Sequence, residues 1–251
     1  DARKSRGLGD VYKRQDDTDA KITISNSTST IAATKLSLVT GSTSGSVILS
    51  NAHTITGSGA QLTAALVTDK VSAAASSTAS VSGAVNVSVA SGIAQASNIT
   101  AVFGGGISDA IAKLAVSGST TTELNNAVED TDVVITVKDN TGTMQAADLY
   151  AITQKTAGAV NITNAQTIEG TGGAVINALI DDAVTLKQNS TASVNNAVNV
   201  SDASSIAQVN KITAEFGGGI SDAIANLAVS GSTSTELNNA VEDTDVVITV
   251  K

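Results

Sequence analysis

Val133-Val-Ile-Thr-Val137 is β-branched throughout and lies between Asp132 and Asp139, a pattern that predicts a short strand. Its nearly continuous apolar character predicts cover on both faces, as in a parallel sheet. From Thr141 to Gly158, Ala146, Leu149 and Ile152 recur at helical spacing, and Gly158 is placed to stop the helix. Val160-Asn-Ile162 opens a second strand that continues through Thr167-Ile168 to the break Gly170-Thr-Gly-Gly173. Val175, Ile176, Leu179 and Ile180 mark the apolar face of a second helix. Val184-Thr-Leu186 and Val198-Asn-Val200 read as strands by alternation. Ile206, Val209, Ile212 and Phe216 form another helical stripe, ended by Gly217–Gly219. Ser221 is a candidate N-cap for a helix running to Leu227. Thr233-Ser-Thr-Glu236 has capping-box spacing ahead of a short helix, Leu237–Val241.

The same pattern occurs elsewhere in the chain. Glu129-Asp-Thr-Asp-Val-Val-Ile-Thr-Val-Lys138 returns unchanged at Glu242–Lys251, a shift of 113 positions, and Asp16–Ser25 is a looser copy shifted by the same amount. The chain therefore reads as a leader at 1–15, one unit at 16–128, a second at 129–241 and the start of a third at 242–251. A long fixed period without insertions is the mark of stacked supersecondary units. An inner echo, strand then helix, recurs within each unit and predicts crossovers onto a parallel sheet. The expected fold is α/β, a tandem-repeat, solenoid-like array of short parallel strands alternating with short helices. An all-β parallel helix is the rival, and the helical spacings at Val175–Ile180 and Ile206–Phe216 weigh against it.

Asp1–Gln15 breaks the repeat and holds five of the 14 basic residues. It reads as a non-native leader, and its Asp-Val-Tyr-Lys-Arg-Gln tail looks like translated sequencing-adapter sequence. With those residues removed, the net charge moves from −9 to −12, which repels phosphate backbones and excludes nucleic acid as a partner. Hydrophobic residues make up 41% but aromatics only 2%, so the core is expected in thin aliphatic layers. No apolar run reaches the roughly 20 residues of a membrane-spanning helix. With no cysteine, disulfide, thiolate and zinc-thiolate chemistry are excluded. The chain reads as a window cut from a longer array.

Candidate chemistry is sparse. His53, the single histidine, faces Gln166 in the next unit and reads as a surface or turn residue. No Gly-x-Ser-x-Gly elbow is present, so hydrolase chemistry is rejected and no enzyme is expected. The triplets Gly104–Gly106 and Gly217–Gly219 lack the P-loop lysine, and Ile107 and Ile220 replace the fourth-position glycine of the calcium nonapeptide. They read as helix stops followed by capped starts. Glu129, Asp130, Asp132 and Asp139, with Glu242, Asp243 and Asp245, cluster at strand ends and are the candidate Ca²⁺ ligands. The alternative is a solvated set that keeps strand edges from pairing. Asn-x-Ser/Thr triplets at Asn86, Asn98, Asn161, Asn189 and Asn199 are attributed to composition.

Thr/Val strands alternating with small helices, in a cysteine-free, acidic, Thr/Ser/Ala-rich chain, resemble the repeats of giant bacterial surface and adhesin-like proteins. The likeness in style is to the swimming-motility type of marine cyanobacteria, and it covers Asp16–Lys251. It implies an extracellular or cell-surface location and a mechanical or adhesive role, sometimes with calcium. The expected function is a non-catalytic structural segment acting as spacer, stalk or adhesive fibre, with neighbouring repeats of the same longer chain as partners. The alternative is a calcium-, glycan- or ice-binding repeat module, with cell-surface glycans as the further partner.

Overall fold

Strands of two to six residues alternate with helices of four to eight in the computed structural model. The structure describes residues 18–27, 29–69, 71–128, 132–180, 184–241 and 245–251. The chain forms two units, Asp1–Gly83 with Gly92–Gly104 and Ala84–Ser91 with Gly105–Lys251.

The first unit holds β1 (Ile22–Ile24), β2 (Thr30–Ala32), β3 (Val47–Leu49), β4 (Thr54–Ser58), β5 (Ser77–Ser82) and β6 (Ile99–Phe103). β1 pairs with β3, while β2, β4, β5 and β6 form a separate sheet in that order, every pairing parallel. The register Thr30↔Thr54↔Thr78↔Thr100 means the chain returns to this sheet at nearly even intervals, the last slightly shorter than the first two. A helix, Ala33–Thr40, follows β2 directly, and Gly59–Leu62 follows β4 and runs into a π-helix at Thr63–Thr68.

The second unit holds β7 (Ile107–Asp109), the hairpin β8 (Ala115–Val116) and β9 (Ser119–Thr120), then β10 (Ile135–Val137), β11 (Gly142–Gln145), β12 (Val160–Ile162) and β13 (Gln166–Gly170). It continues with β14 (Val184–Thr185), β15 (Ser190–Val194), β16 (Ile212–Phe216), β17 (Ile220–Asp222), a second hairpin of β18 (Ala228–Val229) and β19 (Ser232–Thr233), and β20 (Ile248–Val250). One parallel sheet runs β14-β12-β10-β7, another β11-β13-β15-β16, and β17 pairs with β20. The second of these sheets reproduces the same intervals through Thr143↔Thr167↔Thr191↔Thr213. Only the two hairpins pair antiparallel, and no sheet closes on itself among the described residues. The fold is mixed α/β, with mostly parallel strands alternating with helices.

Side-chain volume explains how thin layers pack here. Along one inward row Met144, Ile168, Ala192 and Ala214 shrink, while along the next Gly170, Val194 and Phe216 grow. The two gradients run in opposite directions, so side-chain volume lost along one row is regained along the next. Leu149 and Ile152 from the helix Ala146–Thr153, and Ala203 and Ile206 from the helix Val200–Ala207, close the layer, all four fully buried.

Several sequence expectations change. The helix from 141 is a strand, β11, joined without a loop to a helix confined to Ala146–Thr153. Gly158 does not stop it. Gln154 is the C-cap, and Gly158 instead lies against the Asp132–Val133 backbone. Thr167-Ile168 belongs to its own strand, β13, rather than extending β12. The stripe Ile206–Phe216 splits into the end of a helix and β16, because apolar residues spaced every three or four also fit a helix end followed, after a turn, by one face of a strand. Val198 makes only an isolated bridge to Ile220, and Val200 opens a helix. Ser221 lies inside β17, and the cap ahead of Leu237 is Ser234 rather than Thr233. The sheets also have one open face: β6 alternates buried and exposed residues, so parallel pairing here does not bring cover on both sides.

Glycine is required where backbone meets backbone. A Cβ on Gly158 would stand 2.5 Å from the Val133 carbonyl oxygen, and one on Gly45 the same distance from that of Ala20. Gly158→Ala and Gly45→Ala are therefore each expected to destabilise the fold by about 1–3 kcal/mol. Gly173→Ala, in a helix with open space at the Cβ position, should instead be neutral or stabilise by about 0.4–1 kcal/mol. Urea unfolding midpoints check the contrast, and equal effects at all three sites would refute the close-approach argument.

Candidate functional site

The strand-end carboxylates are engaged with backbone. Asp139 Oδ2 accepts the N–H of Ile111 at 2.6 Å, from the first residue of the helix Ile111–Leu114. Asp109 accepts from Val87 N at 3.1 Å and Ala110 N at 2.9 Å. Asp222 repeats this with Val200 N at 3.1 Å and Ala223 N at 2.8 Å, and adds the Asn226 amide at 2.8 Å. The Asn226 amide, the two backbone N–H groups and the charge of Lys251 hold the Asp222 carboxyl below its ordinary value. A helix leaves its first N–H groups without intrahelical partners; Asp109 and Asp222 fill that role from strands, and Asp139 from just beyond β10. Asp132 and Asp245 are exposed. Glu129, Asp130, Glu242 and Asp243 lie outside the described residues. Among the described residues, no group of three or more His, Cys, Asp or Glu side chains could hold a metal ion.

His53 is buried, 2% exposed, rather than a surface or turn residue. Its Nδ1 lies 3.2 Å from Ser29 N and 3.3 Å from Ser29 Oγ, and its Nε2 has no partner among the described residues. A serine beside a histidine invites a catalytic reading, but a base needs a third group to orient it, and Nε2 meets none. Gln166, also buried, occupies the matching place, with its amide donating to Asn140 O at 2.8 Å and Asp139 O at 3.3 Å. Both side chains tie the start of a strand to the chain one strand earlier.

The glycine triplets link strands of different sheets, β6 to β7 and β16 to β17, rather than stopping helices. Gly106 and Gly219 take φ of +78° and +77°, the left-handed region open to glycine. The glycosylation-type triplets have local duties as well. Asn86 Oδ1 accepts from Val89 N and Asn199 Oδ1 from Asp202 N, and Asn98 donates to Ala73 O.

Sequence reasoning did not single out the open features of the described residues, three of which are a pair of grooves, a charged cleft and a sheet face. A groove of about 540 Å³ is lined by Leu66, Val67, Val71 and Gln95, and one of about 350 Å³ by Leu179, Ile180, Val184 and Gln208. These are the same positions one repeat apart. The Gln208 amide is spent on Ser204 O and Oγ. A charged cleft of about 520 Å³ includes Asp109, Lys113, Glu123 and Lys138, but at the matching positions of the next repeat Lys113 is replaced by Asn226. The third feature is the open sheet face. Thr30, Thr54, Thr78 and Thr100 form one outward row, and Thr143, Thr167, Thr191 and Thr213 another. Neighbouring strands in such a sheet lie about 4.8 Å apart.

No known family, curated protein or solved structure matches the chain.

Asp139→Ala should remove a cap and lower stability by about 0.5–2 kcal/mol, while EDTA leaves the melting temperature in place. Calorimetry with and without EDTA checks both. A drop of several degrees on chelation would reassign these carboxylates to a cation.

Proposed function

We propose that this chain is a non-catalytic structural segment of a large extracellular or cell-surface protein, a spacer, stalk or adhesive fibre. In this reading the repeated units stack as a solenoid-like array, with neighbouring repeats as their partners. The observation that carries it is the reproduction of backbone roles under changed side chains. The register Thr30↔Thr54↔Thr78↔Thr100 of one copy recurs at the same intervals as Thr143↔Thr167↔Thr191↔Thr213 in the other. Left-handed positions recur at Ser76 and Asn189, and at Asn98 and Lys211. Some groups that could do chemistry differ between copies, as at His53 and Gln166 and at Lys113 and Asn226. A compact domain of 251 residues has a radius of gyration of about 18 Å. Small-angle scattering is expected to give a clearly larger value, and a value no larger than that of a compact domain would overturn the stacked reading.

A second reading, a binding module for a regular surface such as ice, is favoured by the threonine rows. All four positions keep threonine in both copies, and none of these hydroxyls has a protein partner among the described residues. Against it, the adjacent row changes from Ala32, Thr56, Ser80 and Val102 to Gln145, Glu169, Ser193 and Glu215. Glycan binding has less support, because Phe103 and Phe216 are buried and offer no stacking platform. Inhibition of ice recrystallisation that disappears in Thr78→Tyr would favour the second reading. An inert protein would remove it.

A further inference from the structure

We propose that His53 is an acid-sensitive switch in the first unit: a second proton on its ring breaks the tie between β2 and β4 and opens the sheet they share. The switch goes beyond the structural-repeat reading and does not depend on it. His53 is the single histidine of the chain. Its buried Nε2 is among the few side-chain polar atoms left without a partner among the described residues.

Three successive returns of the chain meet at this residue. Its Nδ1 accepts the Ser29 N–H at 3.2 Å, just ahead of β2, and Ser29 O accepts the Thr54 N–H at 3.2 Å. The His53 N–H donates to Ser77 Oγ at 3.3 Å and its carbonyl accepts from Thr78 N at 2.9 Å, so it also holds the start of β5. With the Ser29 N–H as donor, Nδ1 is bare and the neutral ring keeps its one proton on Nε2. A second proton has only Nδ1 to go to, and there it cancels the acceptor that Ser29 N–H uses. Nδ1–H is then left with Ser29 Oγ at 3.3 Å or Ser29 O at 3.1 Å, and the latter already serves Thr54.

The added charge has nothing to answer it. β4 packs against β2, β5 and the helices Ala33–Thr40 and Gly59–Leu62. The charged side chain on these elements is Lys35, an exposed cation. Of the described carboxylates of the first unit, Asp69 accepts from Thr40 Oγ1 at 2.7 Å, and Asp19, like Lys21, lies ahead of β1 in the other sheet. No Asp, Glu, Lys or Arg occurs at 22–34, 36–68 or 71–108. A buried charge without a counter-charge is costly, whereas the unfolded chain takes the proton freely. The unfolded state therefore binds more protons in acid, so the first unit's stability is full above the ordinary histidine range and is lost as the pH falls through it.

The second unit supplies the control. Gln166 is buried at the matching position, and its amide donates to Asn140 O at 2.8 Å and Asp139 O at 3.3 Å. Its N–H donates to Ser190 Oγ at 3.3 Å, as that of His53 does to Ser77 Oγ. Glutamine thus makes the same tie between strands and has no proton to gain.

Native-state amide exchange of the full chain, read at β2, β4 and β5 and at their counterparts β11, β13 and β15, tests the switch. A histidine that is free to titrate near about 6.5 only in the open state raises the opening equilibrium up to about thirtyfold between about pH 7.5 and about pH 5. After correction for intrinsic exchange rates, opening of β2, β4 and β5 is expected to rise at least about tenfold, and that of β11, β13 and β15 less than about threefold. His53→Gln, the second unit's own residue, should abolish the rise. Carbon-13 NMR of the ring in the unaltered chain gives a second readout that needs no variant to fold. The ring is expected to gain its second proton only as the sheet opens. A first unit equally protected at both pH values, a rise that survives His53→Gln, or a ring that gains its proton while β2 stays protected each overturns the proposal.

Discussion

A helix of four to eight residues has almost no stability of its own in water, so every helix here depends on something outside it. Local caps such as Ser58, Thr121 and Ser234 meet part of the dependence, and acceptors in or just beyond other strands meet more of it. Asp109 takes the N–H of Val87, Asp222 that of Val200, Asp139 that of Ile111, and Asn196 that of Gly172. Each bond spans close to one return of the chain to its sheet. Helix initiation is thereby coupled to strand stacking. A strand out of register leaves a helix end with unpaired N–H groups, and the cost reports the error.

Packing obeys the same long-range logic. The chain has two phenylalanines, and each ends a row that starts with glycine: Gly57, Val81 and Phe103 in one unit, Gly170, Val194 and Phe216 in the other. Ile55 gives way to Ala79 and Ala101 beside the first row, so volume lost in one is recovered in the other. An aromatic content of 2% is thus sufficient. One phenylalanine per unit ends the row that begins with glycine, and aliphatic side chains make up the rest of the core.

What is legible in the sequence is whatever is local. Ala146, Leu149 and Ile152 are all 0% exposed, and the helix they mark is present. Val160–Ile162 is a strand, and the helix marked by Val175 and Leu179 lies at Gly172–Leu179. The strand β11 escapes notice because Gly142–Gln145 runs straight into the helix. Such a short strand is smaller than the window in which periodicity can be counted. Asp139 is legible as a carboxylate at a strand end, but its donor, Ile111, lies a full strand-to-strand interval back, and no spacing rule links them. The burial of His53 is hidden for the same reason. It is decided by Ser29, one strand earlier, and by Ser77, one strand later, whose hydroxyl accepts the His53 N–H at 3.3 Å.

Two copies in one chain allow the geometry to be separated from the chemistry. Positions that set backbone course are kept or replaced by equivalents: Gly45 and Gly158 meet a carbonyl, and Gly106 and Gly219 turn a corner. Some positions that carry reactive groups are not. Histidine becomes glutamine, Lys113 becomes Asn226, and Lys35 becomes Asp148. The threonine rows sit between these classes, since β-branched residues favour strands and a hydroxyl on an open face is solvated at no cost. Their retention is therefore explained by the sheet itself before any ligand is invoked, and a ligand-based reading must account for the adjacent row, where glutamates replace Thr56 and Val102.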